Sequence, residues 1–186
     1  MNCYFDHSAT TPVDLAVIEW MNQTQSTVFG NPSSSHAIGR KGKHILESAR
    51  FQLAESLGCS PKEIIFTGSG TEANNLVLHH VASQKKKHII TSSIEHPAIL
   101  KTLNHLKPFG ITFTIIPVDQ YGAVDPKDIE KAIQSDTGLI SIMAANNEVG
   151  TVQPIETISH IAKNNHILFH SDGVQALGKI RIQTLV

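Results

Sequence analysis

Four short polar segments in this chain follow apolar, β-branched runs, and their residue types suit one kind of ligand. Thr67-Gly68-Ser69-Gly70-Thr71-Glu72 comes after Ile64-Ile65-Phe66. A glycine turn opening a helix there presents the N–H groups of Gly70 and Thr71, and the Thr71 hydroxyl, to a phosphate favoured by the helix dipole. Ser92-Ser93-Ile94-Glu95-His96-Pro97 sets an imidazole at a loop-to-helix junction, where it can lie on a planar ring and move protons near neutral pH. Asn146-Asn147-Glu148-Val149-Gly150 brings amides within reach of a ring oxygen. His170-Ser171-Asp172-Gly173-Val174-Gln175 supplies a carboxylate for a pyridine nitrogen and an amide three residues on. Each segment has a plain alternative as a tight turn or a helix cap. Four of them at successive strand ends weaken that alternative.

A carboxylate that keeps a pyridine nitrogen protonated, paired with an anion cradle, suits pyridoxal 5'-phosphate, whose ring then accepts electrons from a substrate carbanion. The elements needed to position these groups are legible in the same pattern. Candidate strands at Glu63–Thr67, His88–Thr91, Phe113–Val118, Leu139–Ala144 and Ile167–His170 alternate with candidate helices at Glu72–Ala82, Pro97–Leu106, Pro126–Gln134 and Ile155–Asn164. That alternation predicts a mainly parallel sheet of βαβ units, in three αβα layers, with ligands collecting at the carboxyl ends of the strands. Asp125-Pro126 and Pro154 mark two helix starts. A further long helix, carrying Ile38, Gly42, Ile45, Ala49, Leu53 and Leu57 on one face, is expected to end near Gly58.

Composition narrows the classes further. With 186 residues, 40% hydrophobic and 17% charged, the chain suits one globular domain with a sizeable core, and no composition shift marks an inner boundary. The net charge of -1 gives no footprint for nucleic acid or an anionic membrane. Lys85-Lys86-Lys87 reads as a solvated loop. No stretch approaches the roughly 20 apolar residues of a membrane span and the amino terminus lacks signal-peptide character, so the cytoplasm is the expected location. Eleven histidines form no metal-ligand spacing, and Cys3 and Cys59 suggest no disulfide framework, so no metal site is expected.

The segments 4–12, 29–36, Gly70-Thr71-Glu72, Glu95-His96-Pro97, Asn146-Asn147-Glu148-Val149-Gly150 and 170–175 together resemble, in the same order and along the whole chain, the cysteine desulfurases of the class V aminotransferase superfamily. The resemblance implies the large-domain fold of fold-type I pyridoxal-phosphate enzymes, with residues 1–186 as its amino-terminal part, and a homodimer at full length. It implies that Gly70 and Thr71 hold the cofactor phosphate, that His96 stacks on the ring as an acid/base group, that Asn147 and Gln175 contact the ring oxygen, and that Asp172 pairs with the ring nitrogen. The implied reaction converts L-cysteine to L-alanine and passes sulfur, through a persulfide, to an acceptor protein for iron–sulfur cluster assembly or thiolation.

The family's Ser-x-His-Lys element, with the Schiff-base lysine, and its later sulfur-accepting cysteine do not occur in these 186 residues. Lys179 lies outside that motif and reads as an exposed strand-edge residue, and Cys59 as a small loop residue. The chain is therefore expected to stop short of the lysine and to be inactive by itself. A selenocysteine lyase or other class V lyase, and a non-catalytic half-protein that needs a separate carboxyl half, are the alternative readings.

Overall fold

In the computed structural model, residues 3–180 are described. They divide into two compact units, one running to Phe66 and one starting at Thr67.

The first unit is helical. Helix α1 (Leu15–Thr27) starts where the Asp14 carboxylate accepts from Ala16 N, and it buries none of its residues. Helix α2 (Ala37–Leu57) starts at His36 and ends at Gly58, whose φ of 70° is left-handed and therefore comfortable for glycine. The expected end of the long helix is thus the observed one. Its apolar stripe is less complete than the pattern suggests, since Gly39, Gly42 and Ala54 are buried whereas Ile38 and Leu53 stay exposed.

The second unit is a three-layer αβα sandwich. Strands β1 (His88–Ser92), β2 (Thr112–Ile116), β3 (Thr137–Ser141) and β4 (Leu168–His170) form one sheet in the order β2-β1-β3-β4. Every pairing in it is parallel. Helices α3 (Gly70–Ala82) and α4 (Pro97–Leu106) cover one face, and α5 (Pro126–Lys131) and α6 (Ile155–Asn164) cover the other. The alternation of strand side chains explains both layers. Ile89 and Leu139 pack with Leu78, Val81, Ile99 and Leu103, while their neighbours Ile90 and Ile140 pack with Ile129, Ile158 and Ala162. Since all strands run the same way, their carboxyl ends share one edge of the sheet.

One expected strand does not form. Pro61–Glu63 makes a single 3-10 turn under a Ser60 capping box, and residues 64–67 run on without a ladder partner among the described residues, leaving Ile65 and Phe66 exposed. A β-branched run becomes a strand only where a neighbour takes its N–H and C=O groups. Several bounds also differ: α3 starts at Gly70 and not Glu72, β1 runs on to Ser92, β2 is Thr112–Ile116 and not Phe113–Val118, α5 stops at Lys131, β3 is Thr137–Ser141 and not Leu139–Ala144, and β4 starts at Leu168. The strand pattern after Lys179 falls on residues 181–186, outside the described residues. Among the described residues, no helix is long and apolar enough to cross a membrane.

Candidate active site

Helix α3 begins at the glycine turn. The Ser69 hydroxyl caps it by accepting from Glu72 N at 3.2 Å, and the Glu72 carboxylate turns back to accept from Gly68 N at 2.6 Å. A carboxylate resting on Gly68 N shows that the turn ahead of α3 accepts an anion. Gly70 is there for space: a Cβ at this position would meet Val174 Cγ2 at 2.7 Å. The first turn of α3 and the segment after β4 are therefore in close contact.

Asn74, one turn further along α3, fixes the second contact. It is buried, and its Nδ2 donates to Asp172 Oδ2 at 2.8 Å, while Val174 N donates to Asp172 Oδ1 at 3.0 Å. Two donors hold the half-buried Asp172 carboxylate in one orientation. Asp172 O in turn accepts from Ala144 N, tying the segment to the end of β3. Asn74 lies about one turn along α3 from Gly70 and Thr71, so the helix that opens at the glycine turn also holds the Asp172 carboxylate.

His96 caps α4. Its Nδ1 accepts from Ala98 N at 3.1 Å, and the residue is exposed. With Nδ1 acting as an acceptor, a neutral ring carries its proton on Nε2. His96 therefore donates from Nε2, and taking up a second proton requires the Nδ1 contact to open.

The turn that carries His96 is anchored from inside. Ser93 N donates to Ile116 O, and Asn146 Nδ2 donates to Ile94 O at 3.0 Å. Glu95 is buried; its Oε1 accepts from Ser92 Oγ at 2.6 Å and from Met143 N at 3.0 Å. Burial pushes the Glu95 carboxyl up to about 7, the hydrogen bonds from Ser92 and Met143 oppose that rise, and the Asp172 charge adds to it. His170, whose Nδ1 meets Ser141 Oγ at 2.9 Å, is moved the other way: burial lowers it, with the Asp172 charge pulling up.

Of the remaining expected site residues, Asn147 is half-buried in the turn that closes at Gly150, and no hydrogen bond to its side chain is recorded among the described residues. Its neighbour Asn146 shapes that turn, accepting from Glu148 N and Val149 N, both at 2.9 Å. Gln175 is half-buried, and its Oε1 accepts from Lys179 Nζ. Lys179 is exposed, as expected, but in a turn rather than at a strand edge. Gly70, Thr71, Asn74 and Asp172 are brought together; His96 lies at the end of β1 on the same edge. Sequence reasoning passed over Asn74 and gave Glu95 no role. The helical spacing of Asn74 from Gly70 and Thr71 was the available signal for the first.

Among the described residues, two buried polar atoms on this edge have no hydrogen-bond partner, Glu95 Oε2 and Ser171 Oγ. Buried polar groups are nearly always paired, so unpaired ones at one edge mark a place built for something else. A glycine turn that accepts a carboxylate and a well-held carboxylate tied to the same helix fit the two ends of pyridoxal phosphate.

A parallel three-layer sheet with polar groups gathered at the carboxyl ends of its strands defines the chain as an open-sheet α/β protein. The aminotransferase class-V family profile matches residues 3–185, and the chain belongs to that family. It is 50% identical over 182 residues to the cysteine desulfurase IscS of Methanosarcina thermophila, covering 96% of this chain and 45% of that protein. It is 44% identical over 183 residues to a mitochondrial cysteine desulfurase of Arabidopsis thaliana, covering 96% of this chain and 40% of the relative. Among solved structures, a NifS-like protein matches with a TM-score of 0.95 at 44% identity, over 100% of this chain and 52% of that one. SspA in complex with cysteine matches with a TM-score of 0.92 at 40% identity, over 98% and 54%. The chain spans about half the length of the relatives it matches.

Proposed function

We propose that this chain supplies the cofactor-gripping part of a pyridoxal-phosphate-dependent cysteine desulfurase, which converts L-cysteine to L-alanine and transfers the sulfur through a persulfide to an acceptor protein, for iron–sulfur cluster assembly or thiolation. The observation that carries this reading is the Asn74–Asp172 hydrogen bond, which ties the carboxylate to the helix that opens at the glycine turn. The names of the relatives and the cysteine in one structural neighbour support cysteine over selenocysteine as the substrate.

When bound, pyridoxal phosphate supplies an electron-accepting ring that stabilises negative charge at the substrate carbon. The residues of this chain do the gripping and the proton handling. Gly70 N and Thr71 would hold the phosphate, Asp172 would pair with the ring nitrogen and favour its protonated form, and Asn147 and Gln175 would contact the ring oxygen. His96 would stack on the ring as the acid/base group, donating from Nε2. The Schiff-base lysine and the sulfur-accepting cysteine have no counterpart in these 186 residues, so the isolated chain binds without turning over. The full activity, the homodimer and a cytoplasmic location belong to the same proposal.

Titration of the chain with pyridoxal phosphate tests it. Saturable binding with an aldehyde-like absorbance, weakened by Asp172→Ala, is the expected result. Alanine formation from cysteine at desulfurase-like rates by the chain alone, or binding indifferent to Asp172→Ala, would overturn it.

A further inference from the structure

We propose that Glu95 is a positioning residue for His96: its buried carboxyl clamps the turn that carries the imidazole to the ends of β1 and β3, so that the ring is aimed from behind. The inference rests on the cofactor reading of the site, and it concerns a residue that reading gives no part.

Three observations carry it. Ser92 Oγ–H and Met143 N–H, from two different strand ends, both donate to one oxygen, Oε1 of Glu95. That arrangement needs an acceptor with two lone pairs on a side chain long enough to reach, which a carboxyl or a carboxamide of this length provides and an apolar residue does not. Glu95 is 5% exposed, and an acidic side chain so deeply buried is costly unless its partners hold it. Finally, Glu95 is the last anchored residue before His96, whose Nδ1 must reach Ala98 N at 3.1 Å to cap α4. Ser93 and Ile94 are tied through their backbones to Ile116 and Asn146, two and one residues further from the imidazole than Glu95. The Glu95 side chain is thus the nearest fixed point to His96, and the cap contact that places the ring proton on Nε2 depends on it.

The unpartnered Oε2 separates a clamp from a proton carrier. A clamp uses Oε1 alone, so Glu95→Gln, which keeps Oε1 and cannot ionise, preserves it. A proton carrier uses the second oxygen, which Glu95→Gln removes. Raising the carboxyl to about 7 through burial is consistent with a group that serves near its neutral form, beside an Asp172 carboxylate already held by two donors. The ionisable groups around it on this edge are Asp172, His170 and His96.

Long-range 1H–15N spectra of the imidazoles, recorded on the 186-residue chain without cofactor, read the clamp directly. In the unmodified chain and in Glu95→Gln, His96 is expected as a single Nε2–H tautomer. In Glu95→Ala it is expected as a mixture of tautomers, with a cooperative thermal transition retained. Affinity for pyridoxal phosphate should fall about fivefold in Glu95→Ala and change less than about twofold in Glu95→Gln. An unchanged His96 signature in Glu95→Ala, or a Glu95→Gln spectrum matching that of Glu95→Ala, would overturn the clamp. Should Glu95→Ala not fold, Ser92→Ala removes one of the two donors, and an unchanged His96 signature there overturns it equally. Absence of saturable cofactor binding in the unmodified chain would sink the cofactor reading instead, while the imidazole spectra still report on the clamp.

Discussion

The two edges of the sheet treat buried polar groups in opposite ways. At the edge where the strands begin, His88 is buried with its Nδ1 2.8 Å from Thr137 Oγ1 and its Nε2 2.9 Å from Thr114 Oγ1, so both ring nitrogens are matched by neighbouring strands. At the edge where the strands end, Glu95 and Ser171 each keep a buried oxygen without a partner, and the Asp172 carboxylate is half-exposed. A closed set of hydrogen bonds stabilises a fold; an incomplete one costs stability and is kept where a ligand is to be met.

The largest expected effect breaks the closed set. His88→Ala opens a cavity and strands two threonine hydroxyls, and should destabilise the chain by roughly 3 kcal/mol in urea unfolding while leaving cofactor affinity within about twofold. A stability loss no greater than that of an exposed substitution would show that the two edges do not differ.

Acidity separates the edges by sign. Burial chiefly lowers His88 and His170 below their ordinary value of 6.5, so the stability they contribute is present above 6.5 and lost as pH falls through their folded values. Glu95 is raised from 4.5 to about 7, so the folded state holds its proton longer, and its effect on stability worsens as pH rises across that window. Glu95→Gln should therefore flatten a decline between pH 4.5 and 7, by no more than about 3 kcal/mol, whereas His88→Ala should flatten only the acid side. Urea titrations at several pH values decide this; a decline of the same slope in Glu95→Gln would remove Glu95 from the account.

Asp172→Ala probes the open set: it should weaken pyridoxal phosphate binding about tenfold and, by leaving the buried Asn74 amide without its acceptor, cost about 1–2 kcal/mol in urea unfolding. Smallest of all, Lys131→Ala removes an exposed pair with Asp128 at 2.9 Å and should change neither binding nor unfolding measurably.

The layered core was readable because helix and strand periods differ and because Asp125-Pro126 and Pro154 mark two helix starts; Pro97–Leu106 and Ile155–Asn164 carry the expected bounds at both ends. The run at Glu63–Thr67 misled because its residue types favour a strand wherever a partner exists, and sequence records no partner. Helix α1 was passed over because its apolar residues form no stripe that packs: none is buried. At the site, Asp172, Gly70 and Thr71 stood out through their positions after strands. Asn74 did not, because an asparagine inside a helix reads as a surface residue until the fold buries it against Asp172. Glu95 was hidden for a similar reason: its partner Met143 N is 48 residues away, and backbone donors leave no mark in a side-chain pattern.

Helix α3 carries both the glycine turn and the asparagine that steadies Asp172, so it couples the two. The carboxylate itself sits in the segment after β4, which Ala144 N ties to the end of β3, and a single side-chain amide links that segment to the helix. A shift of the helix is therefore felt at Asp172 through Asn74, and losing that amide would let the two places move independently.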